Sequence, residues 1–244
     1  MNLIVDVGNT CVKLVCFDGW QIKEERRVDR NDAVGFVSFC SKYPFDKGIC
    51  SSVSSVSDAF VSAQKSLPFE LLELESGTTP VPIVSKYRTP QTLGTDRLAA
   101  VVGANWQAPA TDVLVIDVGT CITYDFINSS GEYMGGNISP GPTMRLKALH
   151  EFTSRLPLVE RRGETSALGD TTETAIRNGV LRGVEYEIEG YVNAFLAKYP
   201  RLFVYLTGGV HLDLHFSEKI SIFADNFIVP KGLNRILEYN DEIK

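Results

Sequence analysis

A cationic surplus is missing from this sequence. Its 30 acidic side chains outnumber 24 basic ones, for a formal net charge of −6 over 244 residues. A general nucleic-acid binder shows a basic excess or stripe, so nucleic acid is not expected as a partner, although a few local donors can still hold a phosphate. Long apolar runs are also missing. None approaches the ~20 residues that span a bilayer, and Met1-Asn2-Leu3-Ile4 has neither a basic n-region nor a long apolar h-region. No membrane partner is expected, and the expected location is cytoplasmic. Histidine is scarce: His150, His211 and His215 are isolated, and no Cys/His spacing fits zinc. The five cysteines, Cys11, Cys16, Cys40, Cys50 and Cys121, are odd in number and irregularly spaced. In a chain this long that pattern reads as reduced thiols. Low-complexity segments are absent, and the two tryptophans, Trp20 and Trp106, read as packing residues.

What is present is ordinary in bulk and specific in detail. Hydrophobic residues make up 44% and charged residues 22%, as in a globular protein, and the length allows one large domain or two small ones. The informative stretch is Val5-Asp6-Val7-Gly8-Asn9-Thr10-Cys11-Val12-Lys13. Apolar runs enter and leave it, so it reads as strand, tight turn, strand. Its bend concentrates the groups that a phosphate and its metal need. Gly8 lets backbone N–H groups approach, Asn9 and Thr10 donate hydrogen bonds, Asp6 faces a cation, and Lys13 neutralises phosphate oxygens. A plain β-hairpin turn uses some of the same residue types.

A second copy separates these readings. Val115-Ile116-Asp117-Val118-Gly119-Thr120-Cys121-Ile122-Thr123 repeats the apolar entry, the Asp-Val-Gly core, the Thr-Cys pair and the apolar exit, without a counterpart of Asn9. Two such turns about one small domain apart point to internal duplication. The junction falls at residues 108–112, giving halves of 1–110 and 111–244. Each half reads as three strands and then helices, an α/β order.

In the first half, Asn31 or Asp32 caps a helix with Val34, Val37 and Phe36 or Phe39 inward, and Ser57 caps another. A loop over residues 77–90 carries Tyr87 and leads to Gly94-Thr95-Asp96-Arg97, where Thr95 is the expected N-cap of an apolar helix. Asp96 and Arg97 then occupy a first turn that favours anions. Asp96 suits either the helix dipole or proton abstraction, and its guanidinium neighbour suits a carboxylate ligand. In the second half, Pro140-Gly141-Pro142 starts a helix, and Asp170 with Glu173 fits a capping box for the longest one. Ile176, Val180, Val184 and Ile188 form a buried stripe along that helix. Thr172, in its first turn, has a role left open by physics alone. Thr207-Gly208-Gly209 ends a buried strand where a flat ligand could lie against the backbone.

The paired Asp-x-Gly turns resemble those of the actin-like ATPase superfamily, which includes sugar kinases and heat-shock chaperones. The ordered set is similar to the type III pantothenate kinase family over nearly the whole chain: residues 6–13, Tyr87 with residues 94–97, 117–120, 135–141, 169–172 and 207–209. The Gly-Thr-Asp-Arg turn sets this family apart from its relatives. The resemblance implies a duplicated ribonuclease-H-like fold, two mixed-sheet halves flanking a nucleotide cleft. It implies ATP-dependent phosphorylation of pantothenate to 4'-phosphopantothenate, the first step of coenzyme A synthesis. Asp6, Val7, Gly8, Asn9, Thr10, Cys11, Val12 and Lys13, with Thr120, would bind ATP and a divalent cation (Mg2+), with Asp6 toward that cation. Asp117 would bind a monovalent cation, K+ or NH4+. Tyr87, Gly94, Thr95, Asp96, Arg97 and Thr172 would bind pantothenate, with Asp96 as proton acceptor. A homodimer is implied. The alternatives are another small-molecule kinase of the superfamily, or a catalytically idle nucleotide-binding regulator.

Overall fold

The apolar runs that enter the two acid turns, residues 2–7 and 113–118, each become an inner strand of a sheet. The computed structural model describes residues 1–209, 214 and 221–244. In chain order its elements are β1 (Asn2–Val7), β2 (Val12–Asp18), β3 (Gln21–Val28), α1 (Ala33–Cys40), β4 (Lys47–Ser52), α2 (Asp58–Lys65), β5 (Leu71–Glu73), β6 (Val84–Ser85), α3 (Thr95–Gln107), β7 (Val113–Val118), β8 (Cys121–Ile127), β9 (Glu132–Pro140), α4 (Pro142–Glu151), α5 (Thr172–Lys198), β10 (Phe203–Gly208), β11 (Ser221–Ala224) and α6 (Ile228–Glu242).

One sheet has the order β3-β2-β1-β4-β5 and the other β11-β10-β7-β8-β9-β6. Leaving β6 aside, the second order repeats the first: each half's opening strand lies between its second strand and its fourth. Both sheets are mixed. β1 runs antiparallel to β2 and parallel to β4, and β10 runs parallel to both β7 and β11. This is the duplicated ribonuclease-H-like fold. β1 and β7 share one burial pattern, in which every residue is buried except the aspartate, which is half-buried. Strands covered on both faces read as continuous apolar runs, so a carboxylate in one marks the place where that cover ends.

The chain forms two compact units. The first comprises Met1–Ala110, Ile127–Gly135 and Phe227–Lys244. Within it, Leu3, Val5, Val7, Val12 and Leu14 pack against Phe36 and Phe39 of α1 and Phe60 of α2. Each such buried side chain contributes roughly 1.5–3 kcal/mol. The other end of the strand pattern is polar: Asn2 donates to Asn234 at 2.8 Å and to Glu238 at 2.6 Å on α6. Helices α3 and α6 cross at two glycines. A Cβ on Gly232 would stand 1.8 Å from the Ala99 carbonyl oxygen, and one on Gly103 would stand 2.3 Å from that of Ile228.

The second unit comprises Thr111–Phe126 and Gly136–Asn226. Its core joins Leu114, Ile116 and Val118 of β7 to Val184, Ile188 and Val192 of α5 and Val204 of β10. Ile176 and Val180, earlier on the α5 stripe, pack instead with Leu146 and Val159. The stripe expected from four-residue spacing is therefore buried within its own chain.

Some local expectations hold and others are corrected. Asp32 caps α1 by accepting from the Gly35 amide, and Phe36 and Phe39 point inward as a pair, while Val34 and Val37 are exposed. Helix α3 starts one residue early: Gly94 is its N-cap, without a side-chain cap bond, and Thr95 is its first helical residue. The α5 capping box is made by Thr171 and Thr174, not by Asp170 and Glu173, because a threonine hydroxyl at the third helical position reaches back as a longer acid would. The 77–90 loop contains the short strand β6, paired to β9 as Val84 with Glu132 and Ser85 with Tyr133. Of the isolated histidines, His150 lies in the last turn of α4 with Nδ1 2.8 Å from the Leu156 carbonyl oxygen, whereas His211 and His215 lie outside the described residues. Trp20 and Trp106 stack on each other with centroids 4.3 Å apart.

Candidate functional site

In the first unit the acid turn is a hairpin bend whose Gly8 amide donates to the Cys11 carbonyl at 3.1 Å. Asn9 and Thr10 at its tip are exposed, and Gly8 and Cys11 are half-buried. Val7 pairs with Val12, and Asp6 pairs with Lys13 across the ladder. Directly opposed residues share a face, since side chains alternate along a strand. Asp6 and Lys13, both half-buried, therefore form one acid–base pair of positions on the sheet face opposite the Phe36–Phe60 core. On the other side Asp6 is in register with Ser51 of β4. Ser51 is fully buried and donates to Thr95 Oγ1 at 2.9 Å. The neighbour of the Asp6 strand, β4, is thereby joined to the first turn of α3.

That first turn carries the remaining first-half residues. Asp96 is half-buried, and its Oδ1 accepts from the Arg97 backbone amide at 2.8 Å. Burial pushes the Asp96 carboxyl above its ordinary value, and the Arg97 amide and guanidinium only partly offset this. A carboxylate that holds its proton more tightly than usual is a stronger base. Arg97 is buried, donates to the Tyr133 hydroxyl at 3.2 Å, and lies 5.8 Å from the Tyr87 ring centroid. Tyr87 and Tyr133 stack with centroids 6.0 Å apart and planes 8° from parallel. The β6–β9 pairing brings them together, since Tyr87 follows Ser85, whose partner is Tyr133.

A cavity of about 600 Å³ opens beside this turn, lined in part by Ser52, Ser76, Gln91, Leu93, Gly94 and Thr95.

In the second unit the other acid turn is tighter, with the Gly119 amide donating to the Cys121 carbonyl at 2.9 Å. Asp117 is half-buried and Thr120 exposed. Asp117 is in register with Thr207 of β10, and Val118 with Gly208, so the Thr-Gly-Gly end of β10 lies alongside the turn. Gly208 has φ +105°, and a Cβ there would stand 2.3 Å from the Val118 carbonyl oxygen. Only glycine permits this approach. From the other direction the Gly141 amide donates to the Thr120 carbonyl at 3.0 Å. The corner holding Gly141 is anchored by Arg145, which donates to Pro140 O at 2.7 Å and pairs with Glu187 of α5. Glu187 also accepts from Tyr124 at 2.8 Å and from Ser139. Thr172 is exposed at the head of α5.

Asp6, Lys13, Thr95, Asp96, Arg97 and Tyr87 thus belong to one unit, linked by Ser51 and Tyr133. Asp117, Thr120 and Thr172 belong to the other. Ser51 and Tyr133 escape sequence reading. Ser51 carries one faint signal, its place at the end of an apolar strand, as for Asp6. Tyr133 carries none. Among the described residues no group of three or more His, Cys, Asp or Glu side chains could hold a metal, and no helix is long and apolar enough to cross a membrane. Cys40 and Cys50 are pushed up to about 12 by burial, which leaves them unreactive as thiols.

Among solved structures, a protein named for the Baf family of transcriptional activators, from Campylobacter jejuni, aligns with a TM-score of 0.62 at 21% identity, covering 98% of this chain and 99% of that one. A ROK family glucokinase from Streptomyces griseus, solved with glucose and AMPPNP, aligns at 0.50 and 11%, covering 98% of each chain. At such identities the likeness speaks for the fold alone. Sequence similarity goes further. The type III pantothenate kinase of Phocaeicola vulgatus is 51% identical over 243 residues, covering 100% of both chains. A family model described as type III pantothenate kinase matches residues 2–194, a span that includes both acid turns and the turn at 94–97. With half of all positions shared along the full length, the chain belongs to the type III pantothenate kinase family.

Proposed function

We propose that the chain transfers the γ-phosphoryl group of ATP to the primary hydroxyl of pantothenate, giving 4'-phosphopantothenate and ADP, the first step of coenzyme A biosynthesis. Residues 6–13 and Thr120 hold the nucleotide phosphates. Lys13 offsets their charge, and the exposed Asn9 and Thr10 supply donors. Tyr87, residues 94–97 and Thr172 hold pantothenate, with Arg97 toward its carboxylate. Asp96 takes the proton of the hydroxyl as that oxygen attacks the γ-phosphorus; the bond to the bridging oxygen breaks and ADP leaves. Such transfer requires chiefly positioning and charge neutralisation.

One carboxylate at each acid turn suits the ions that this reading requires. Mg2+ is commonly held by one or two carboxylates together with substrate phosphates, and Asp6 offers one carboxylate, half-buried at the entry to the first turn. Asp117 would hold K+ or NH4+ at the second turn. Bound there, the cations would neutralise phosphate charge. The enzyme, with its halves 1–110 and 111–244, would act as a cytoplasmic homodimer.

The observation that carries this reading is the first turn of α3, where a half-buried Asp96 of raised basicity adjoins Arg97 in a tyrosine-lined corner. The test is ADP release with ATP and pantothenate, against a panel of sugar and carboxylic-acid acceptors, in potassium and then in sodium. Turnover on pantothenate that is faster in potassium is expected. Phosphorylation of a sugar with pantothenate untouched would overturn the substrate assignment, and equal rates in both salts would remove the monovalent site.

A further inference from the structure

We propose that Ser51 is a positioning residue for phosphoryl transfer, its hydroxyl tying the first turn of α3 to β4, the strand paired with the one that carries Asp6. The inference deepens the reading above and rests on Asp96 as the base. β4 runs parallel to β1, so Ser51 stands beside Asp6 at the same end of the sheet. Its neighbour Cys50 belongs to the helix-covered core on the opposite face, which turns Ser51 toward the face shared by Asp6 and Lys13. There it is fully buried and donates to Thr95 Oγ1 at 2.9 Å, and Thr95 is itself only 9% exposed.

The bond matters because of what the helix start lacks. Gly94, the N-cap, has no side chain to fix the turn. Asp96 accepts within that turn, from the next residue's amide. Arg97 of this turn reaches Tyr133 of β9, whereas Thr95 reaches β4, the strand beside Asp6, and it immediately precedes the base. A short rigid path therefore runs from the phosphate-binding strand through Ser51 and Thr95 to the Asp96 backbone. In-line transfer requires the hydroxyl, its base and the γ-phosphate in register, and a displacement near 1 Å can cost about 100-fold in rate.

The experiment uses the full-length enzyme with Ser51→Ala, Ser51→Thr, Thr95→Val and the double variant Ser51→Ala/Thr95→Val, with kcat and the KM for ATP and for pantothenate measured for each. Ser51→Ala should lower kcat by about tenfold to 100-fold while leaving the KM for ATP within twofold, and Ser51→Thr should restore most of the turnover. In the Thr95→Val background, Ser51→Ala should add no further loss, since residues acting through one contact are non-additive. Wild-type turnover in Ser51→Ala, or full additivity in the double variant, would overturn the proposal. Thr95→Val breaks the same contact from its other side, so its own turnover decides the matter if Ser51→Ala does not fold: a value within twofold of wild type is a refutation. If wild-type enzyme ignores pantothenate but phosphorylates another alcohol, the substrate reading fails separately, and the same variants assayed on that alcohol still decide the role of Ser51.

Discussion

Tyr87 and Tyr133 lie face to face, 6.0 Å apart and 8° from parallel, although 46 positions separate them in the sequence. Arg97 links the pair, lying over the ring of the first and donating to the hydroxyl of the second. A guanidinium stacked on an aromatic ring and hydrogen-bonded at its edge has one orientation. The corner beside Asp96 is therefore held by the protein's own side chains.

Removing the hydroxyl should loosen that corner without emptying it. Tyr133→Phe leaves a buried N–H of Arg97 without this acceptor, a loss of about 1–3 kcal/mol. The KM for pantothenate is expected to rise several-fold with the KM for ATP unchanged, and steady-state kinetics with each substrate varied checks this. An equal rise in both constants would show that Tyr133 supports the fold at large.

Asp96→Asn should separate chemistry from binding. Loss of a general base typically costs ~10²–10⁴-fold in turnover, with pantothenate binding largely kept. The same variant should be more stable than wild type at neutral pH. Burial raises the Asp96 carboxyl above its ordinary value, so the folded state binds that proton more tightly than the unfolded state. Its stabilising contribution is complete below the ordinary aspartate range and is lost as pH rises through the folded value. Thermal melts of both proteins from pH 4 to 8 should show the Asn variant's advantage growing with pH. A constant difference would contradict the burial argument.

Glu187 behaves in the opposite sense. Burial alone would raise its carboxyl, but hydrogen bonds from Arg145, Ser139 and Tyr124 outweigh burial and hold it below the ordinary value. Its contribution is present above the usual glutamate range and disappears as pH falls through the folded value. Glu187→Gln should cost about 1.5–3 kcal/mol at neutral pH, the scale of hydrogen bonds to a charged group, and the gap to wild type should close on acidification. Urea melts at pH 7 and pH 4 test both statements.

Gly208→Ala should strain the backbone beside the second acid turn. With φ at +105° and the Val118 carbonyl oxygen 2.3 Å from the new methyl carbon, the penalty is at least about 1–3 kcal/mol. Because Val118 is the Gly208 partner and adjoins Asp117, the KM for ATP should rise as the melting temperature falls. A destabilised variant with unchanged ATP affinity would separate Gly208 from the nucleotide.

Much of the fold was legible because it is local. Alternating and continuous apolar runs set β1 to β3 and β7 to β9, and the Asp32 and Ser57 caps were readable from side chains that accept from amides three residues on. Legibility failed where one residue type serves two purposes. Val34 and Val37 looked like core residues, but Phe36 and Phe39 already fill that helix face. Strand β6 was hidden in a proline-bearing loop because a two-residue strand leaves no periodicity to detect.

By itself the sequence determined the duplicated pattern, the two acid turns and the Gly-Thr-Asp-Arg start of α3, since each is written in contiguous residues whose chemistry needs no partner elsewhere. Only the tertiary structure decided that Ser51 stands between Asp6 and Thr95, and that Tyr133 receives Arg97. Both depend on which strand lies beside which, and that neighbourhood is set by the register of parallel strands joined through long crossovers, where no residue spacing along the chain encodes the distance between side chains.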